Sequence, residues 1–224
     1  MHAHYARFQN RQDAGRQLAQ RLEPYAQRSE LLVLGLPRGG VPVAYEVAKA
    51  LQAPLDICLV RKLGVPGQKE LAMGAIASDC VRVLNYDVIS WLGIDSHAID
   101  AVAARELREL QRRDRAYRGD RPPPPIRDRP VIVVDDGLAT GSTMRAAIAV
   151  LKAEKPQQLI VAVPVAPPQI CAELRSEVDA VIALLTPENF YAIGVWYEDF
   201  APTTDAEVRD LLTAAPQQHP QSIA

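Results

Sequence analysis

Val131-Ile-Val-Val-Asp-Asp-Gly-Leu-Ala-Thr-Gly-Ser-Thr-Met144 is the stretch on which the reading of this chain turns. Its first four residues are β-branched and uninterrupted, the pattern of a central parallel strand buried on both faces. The run stops at two consecutive carboxylates, Asp135 and Asp136. Small residues and hydroxyls follow from Gly137 to Thr143, and a helical pattern runs from Met144 to Glu154. Such a loop curls backbone N–H groups around a phosphate at a helix N-terminus, where unpaired donors and the macrodipole favour an anion. It lacks the Lys that a Walker A loop places before its Ser/Thr. Paired acids would repel a bare phosphate but suit the hydroxyls of a sugar attached to it, because ionised carboxylates accept OH donors strongly. A lone Asp-Asp-Gly would read as an ordinary βα turn. The full string favours a sugar-phosphate site.

Working back toward the N-terminus, Leu31 to Leu36 reads as a second buried strand and runs into Pro37-Arg38-Gly39-Gly40 before a helix from Val41 to Leu51. Adjacent glycines let backbone approach a ligand closely, and Arg38 can fork onto phosphate oxygens. Leu55 to Val60 is the next expected strand, ending at Arg61-Lys62. Leu63 to Glu70 is polar and rich in Gly and Pro, so it reads as a mobile loop, with a strand resuming over Ala72 to Ser78.

Strand, Asp-Asp, then a Thr-Gly-rich loop resembles the phosphoribosyl pyrophosphate (PRPP) motif of the type I phosphoribosyltransferases. The resemblance implies that Asp135 and Asp136 hold the ribose 2′- and 3′-hydroxyls, and that Ala139, Thr140, Gly141, Ser142 and Thr143 cradle the 5′-phosphate. Arg38, Gly39 and Gly40 match the family's pyrophosphate loop, which implies a non-proline cis peptide between Pro37 and Arg38. Arg61-Lys62-x-Gly64-x-Pro66-Gly67 is similar to the start of the lid in adenine-type enzymes, placing Arg61 and Lys62 at PRPP. Enzymes acting on hypoxanthine and guanine carry an Asp as proton shuttle at the fifth residue of the acid-pair loop. Here that residue is Ala139, so Lys69 or Glu70 in the lid are the candidate acid or base, beside Arg38 as the catalytic contact to pyrophosphate. Mg²⁺ is the expected cofactor, shared between PRPP and Asp135 or Asp136 through water. The N-terminal spelling Arg7-Phe8, Arg11, Asp13-Ala14-Gly15 and Leu18-Ala19 is similar to predicted phosphoribosyltransferases of unassigned substrate.

The remaining segments frame that core. Residues 7 to 28 read as an amphipathic helix ended or kinked at Pro24, with Ala14, Leu18, Ala19 and Leu22 as its apolar stripe and Arg11, Arg16, Gln17 and Arg21 spaced for solvent. A short strand over 81–84 and a helical turn or two over 86–92 are expected. Asp95 or Ser96 then caps a long helix to about Tyr117. Its arginines alternate with Glu106, Glu109 and Asp114, which favours a salt-bridged solvent face over an RNA-binding one. Arg121 to Pro125 is an extended connector. Further strands over 158–163 and 179–185, and a helix from Pro167-Pro168 to Ser176, complete the alternation. The aromatic-rich stretch from Thr186 to Phe200 fits the hood that covers the base, with Phe190, Tyr191, Trp196 or Tyr197 open to stacking or to core packing. A helix over 206–214 and a frayed tail close the chain.

Composition bounds the rest. A net charge of −2 over 224 residues gives no field for nucleic acid or membrane, and no apolar run reaches the roughly 18 residues of a membrane span. Cys58, Cys80 and Cys171 fit a reduced cytoplasmic protein, and His2 and His4 read as a frayed terminus rather than a metal pincer. The expected architecture is an open, mainly parallel α/β sheet flanked by helices with a small hood. It divides into an N-terminal helical segment (1–30), a core (31–185) with a helical insertion at about 85–125, and a C-terminal hood segment and tail (186–224). The expected activity moves ribose 5-phosphate from PRPP onto a nitrogenous base in a homodimer. A non-catalytic PRPP or nucleotide sensor on the same fold is the rival reading.

Overall fold

A computed structural model describes residues 7–26, 28 and 30–216, with the side chains of Lys69 and Glu70 excepted. The two N-terminal histidines and the tail beyond 216 lie outside the described residues. The elements are α1 (Arg11–Arg21), β1 (Leu32–Gly35), α2 (Gly40–Leu51), β2 (Leu55–Ile57), β3 (Val60–Val65), β4 (Gln68–Ala77), β5 (Arg82–Leu84) and α3 (Tyr86–Leu92). They continue with α4 (Ser96–Arg118), β6 (Pro130–Val134), α5 (Ser142–Ala153), β7 (Gln158–Val165), α6 (Pro168–Leu174), β8 (Ala180–Leu185) and α7 (Asp205–Ala214).

Five strands form a parallel sheet in the order β2-β1-β6-β7-β8. Its centre is apolar because helices cover both faces. Along β6, Ile132 and Val134 face the cluster built with α1, α2 and α7, while Val131 and Val133 face α5 and α6. That alternation is the period of two of a strand, and it explains why an unbroken Val-Ile-Val-Val run is needed. The chain leaves β1 through α2 toward β2 and leaves β6 through α5 toward β7. The loops after β1 and β6 therefore diverge at the sheet centre, opening a crevice at the topological switch point.

A second, antiparallel sheet has the order β3-β4-β5. It corrects two expectations. The strand expected over Leu55 to Val60 ends at Ile57, and Val60 already belongs to β3. Leu63 to Glu70, expected as a mobile loop, is the end of a β-hairpin in which Val65 pairs with Gln68 across Pro66-Gly67. Pro66 and a Gly67 with φ of 80° are the residues a type II turn requires. The buried side chains of Leu63 and Val65 sit on either side of Gly64, an alternation masked by the loop-like composition.

The N-terminal helix is shorter than expected. Asn10 accepts a bond from the Asp13 N–H at 2.9 Å and caps α1, which ends at Arg21 before a short 3-10 turn holding Pro24. Ala14, Leu18, Ala19 and Leu22 are buried, as their spacing predicts. The insertion follows its sequence closely: Asp95 accepts from the Ala98 N–H at 2.8 Å and starts α4. Arg112 and Arg113 pair with Glu109 on its open face. Glu106 departs from that face, buried and paired with Arg61 of β3, and so does Arg118. That arginine is buried, bonded to Asp56 at 2.8 Å and to the Ile57 carbonyl at 2.7 Å, with Asp114 as a further partner.

Candidate functional site

The site forms where the loop after β1 meets the loop after β6. The Pro37–Arg38 peptide is cis, as the resemblance implies. A Cβ on Gly39 would lie 2.0 Å from Asp136 Oδ2, and one on Gly40 would lie 2.7 Å from the Val134 carbonyl oxygen and 2.8 Å from Asp135 Cα. No side chain fits at either position: Gly39 lies against the Asp136 carboxylate and Gly40 against the backbone at the end of β6. The glycines make room for the acid pair itself, a role their sequence context did not reveal.

The two acids differ in their surroundings. Asp135 retains some exposure, and its Oδ1 accepts the Asp136 N–H at 2.9 Å. Burial, then the neighbouring Asp136 charge, pushes its carboxyl well above the ordinary range. Asp136 is 8% exposed and takes an ion pair from Arg11 Nε at 2.8 Å. Burial raises its carboxyl too, with the Arg11 hydrogen bond and charge opposing that shift. Tyr197 donates its hydroxyl to the Asp136 backbone carbonyl at 2.6 Å. Burial followed by the Asp136 charge holds that phenol far above its ordinary value.

Arg11 was expected on a solvent face, and the structure corrects this. Its guanidinium also donates to the Ala201 carbonyl at 2.7 Å and stacks 3.9 Å from the centre of the Phe200 ring. Trp196 and Tyr197 are likewise corrected as candidates for stacking on a base. Both are buried in a small cluster with Phe8 and Ala14, whereas Tyr191 is 86% exposed. Ile193 meets Gly137, which brings the aromatic-rich segment against the phosphate-type loop.

That loop ends on Gly141, whose φ of 71° makes it a left-handed N-cap for α5. Gly141 supplies no side-chain cap, and the first turn carries no acid. The helix N-terminus is thereby left suited to an anion. Thr140 Oγ1 and Ser142 Oγ lie 3.0 Å apart, which draws the hydroxyls together at the helix start. Ala139, Thr140, Ser142 and Thr143 are exposed.

A cleft of about 700 Å³ runs from Pro37 past Ser142 and Thr143 to Arg61, Lys62 and Pro66 of the hairpin. Arg61 Nε pairs with Glu106 of α4 at 2.5 Å, so the hairpin's first arginine is tied to the insertion helix. Asp135 and Asp136 do not line this cleft; they lie against Gly39 and Gly40. Arg38 is half exposed and reaches Asp205 of α7 at 3.6 Å. Asp205 accepts the Tyr117 hydroxyl at 2.8 Å. That bond, then burial's opposing effect and Arg38's charge, leave its carboxyl below the ordinary range. Lys69 and Glu70 have no described side chains, so their roles stay with the sequence. Arg11 and Tyr197 are the contributors that sequence reasoning missed. The only signal was the Arg7-Phe8 to Leu18-Ala19 spelling to which Arg11 belongs.

Over 208 residues the chain is 50% identical to "Putative phosphoribosyl transferase Rv0571c" of Mycobacterium tuberculosis strain H37Rv, covering 93% of this chain and 47% of the relative. The corresponding protein of strain CDC 1551, MT0597, gives the same figures. The chain thus spans about half the length of the curated relatives it matches. The crystal structure of TT1426 from Thermus thermophilus superposes with a TM-score of 0.85 at 42% identity, covering 92% of this chain and 97% of that one. Residues 3–194 match the phosphoribosyl transferase domain. With most of its length matched and with relatives this similar, the chain belongs to the phosphoribosyl transferase domain family.

Proposed function

We propose that this domain binds PRPP at the switch-point crevice and transfers its ribose 5-phosphate to a nitrogenous base, releasing pyrophosphate. The observation that carries the reading is the close approach of Gly39 and Gly40 to Asp135 and Asp136, too tight for a side chain at either glycine. It sets a candidate pyrophosphate loop directly beside a candidate ribose-binding acid pair. The uncapped N-terminus of α5 supports the 5′-phosphate at Ala139 to Thr143. Arg38 would meet the pyrophosphate as negative charge builds on it, Asp135 and Asp136 would orient the ribose, and Arg61 and Lys62 would close over the ligand from the hairpin. The second sheet serves as the lid side of the hood and the segment around Tyr191 as its base side, with Tyr191 and Phe190 the aromatics available for stacking.

Among the described residues no cluster of three or more His, Cys, Asp or Glu side chains could hold a metal. Asp135 and Asp136 fit a different arrangement, in which Mg²⁺ takes one or two carboxylates and completes its shell with phosphates and water. Both carboxyls are raised by burial, so a cation brought by PRPP would favour their ionised forms. When bound, Mg²⁺ would offset charge on the leaving pyrophosphate. Among the described residues, no helix is long and apolar enough to cross a membrane.

The experiment is pyrophosphate release from PRPP and Mg²⁺ across a panel of free bases. Release only with an acceptor is expected, with adenine-like or non-purine bases ahead of hypoxanthine and guanine because Ala139 replaces the shuttle acid. Arg38→Ala should slow release far more than it weakens PRPP binding. Tight PRPP binding with no release for any base would favour the sensor reading.

A further inference from the structure

Two walls of the 700 Å³ cleft are cationic. Arg61 and Lys62 come from β3, and Arg105 and Arg113 come from α4, the insertion helix. Glu106 is the one acid among the described residues that line it. The arginines are tied to carboxylates that each serve two of them. Glu106 is buried and takes Arg61 Nε at 2.5 Å and Arg105 Nη2 at 2.9 Å. Glu109 takes Arg112 Nε at 2.9 Å and Arg113 Nε at 2.8 Å. Each guanidinium offers five N–H donors, so a carboxylate shared by two arginines fixes them and leaves positive charge and donors over. Val65, Val102 and Ala146 supply apolar lining beside them, and Ser142 and Thr143 bring the start of α5 into the same cleft. A volume of this order suits a small-molecule ligand.

We propose that the insertion helix is part of the ligand site: Arg105 and Arg113 contact the oxygens of a diphosphate-class anion held between α4 and the hairpin. A solvated ion pair on a helix surface balances its charges one to one and contributes little. Here the cations outnumber the acids, line a concave surface and converge with a helix N-terminus that carries no side-chain cap. An anion between them would offset their mutual repulsion, and the planar guanidinium fork matches phosphate oxygens in pairs. An uncharged base would leave that charge unmatched. The insertion thereby gains a role: Arg61 and Lys62 of the hairpin would close against Arg105 and Arg113 of α4, with the anion between. Identifying that anion with the pyrophosphate of PRPP rests on the reading above; the anion site on α4 does not.

The probes are inorganic pyrophosphate and PRPP, each with Mg²⁺, titrated onto the full chain by calorimetry. A cleft pair, Arg105→Gln with Arg113→Gln, is compared with an outer pair, Arg108→Gln with Arg112→Gln. The outer pair removes the same charge from α4 positions that do not line the cleft. Both should melt within about 2 °C of the parent, because Glu106 and Glu109 each keep an arginine. The cleft pair should weaken pyrophosphate binding at least about tenfold, the effect of losing a charge-assisted hydrogen bond, and each of its single variants should show part of that loss. The outer pair should change it less than about twofold, since solvent and salt screen those charges. Parent-like pyrophosphate binding by the cleft pair would overturn the inference, and so would a parent that binds no pyrophosphate. Equal weakening by both pairs would also overturn it, by tracing the effect to overall charge. A matching loss for PRPP is expected; unchanged PRPP binding beside weakened pyrophosphate binding would break the identification with the PRPP pyrophosphate. A parent that binds pyrophosphate but not PRPP defeats the phosphoribosyl reading instead, while the pyrophosphate titrations still decide the site on α4.

Discussion

The two sheets of this molecule solve different problems. In the parallel sheet β6 is buried along its whole length, with helices on both faces, and its side chains do nothing but pack. In the antiparallel sheet β3 buries only Leu63 and Val65 fully, and its other residues carry Arg61 and Lys62 to the cleft. The first sheet holds the acid pair and the glycine loop in register, as a rigid platform. The second contributes one wall, is anchored through α4 and α5, and has irregular register around Gly64. Local opening is easiest where fewer side chains are buried, and β3 buries fewer than β6.

The largest expected effect concerns the joint between them. Arg118 fixes the insertion helix to the end of β2 through Asp56 and the Ile57 carbonyl. Arg118→Met should destabilise the protein by about 3–5 kcal/mol in chemical denaturation, because it leaves buried acceptors without their cation. A loss below about 1 kcal/mol would mean that apolar contact alone joins the two regions.

Next come paired core truncations. Ile132 and Leu63 are both fully buried, and removal of either to Ala should cost within about 2–5 kcal/mol. Ile132→Ala is expected to cost more, since helices enclose its sheet on both sides while the hairpin has more freedom to collapse around a void. Equal losses would erase the contrast in packing.

A smaller effect should stay inside the second sheet. Gly67→Ala puts a side chain at φ of 80° with nothing within 4 Å of its Cβ, so the penalty is conformational, about 1–2 kcal/mol. Hydrogen exchange should speed up in β3 and β4 amides and stay unchanged in β6. Matching acceleration in both sheets would show that they open as one unit.

The smallest effect is electrostatic and again lies where the sheets meet. Glu154, at the end of α5, has its carboxyl pushed up to about 7, first by burial and then by Asp79 in the turn between β4 and β5. An acid raised on folding contributes stability below its unfolded value, and that contribution is lost as pH rises from about 4.5 through about 7. Glu154→Gln should therefore gain on the parent at pH 8 and not at pH 4. The side chain is only part-buried, so the gain should be on the order of 1 kcal/mol or less. A gain independent of pH would point to packing rather than charge.

How much was legible follows the range of the interactions involved. The Val131 to Thr143 string, the Pro37 to Gly40 loop and the Asp95 cap each depend on residues within one strand–loop–helix or one helical turn. Their structures agree with the sequence reading. The hairpin was misread because Gly64, Pro66 and Gly67 look like loop composition, although they serve a bulged strand pair and its turn. Residues 193–200 divided in a way that composition could not foresee, with Trp196 and Tyr197 in the core and their neighbours near the site.

By itself the sequence determined the alternating α/β core, the acid pair at the end of its central strand, the phosphate-type loop and the capped insertion helix. Each is encoded by periodicity or by contacts a few residues apart. Tertiary structure alone decided that Arg11 faces Asp136, that Tyr197 holds the Asp136 carbonyl and that Arg118 turns inward to Asp56. These partners are 125, 61 and 62 residues apart. Which arginine finds a buried acid depends on how α1, the C-terminal segment and α4 dock on the sheet. A charged residue on an amphipathic helix reads the same whether the surface opposite it is water or a carboxylate.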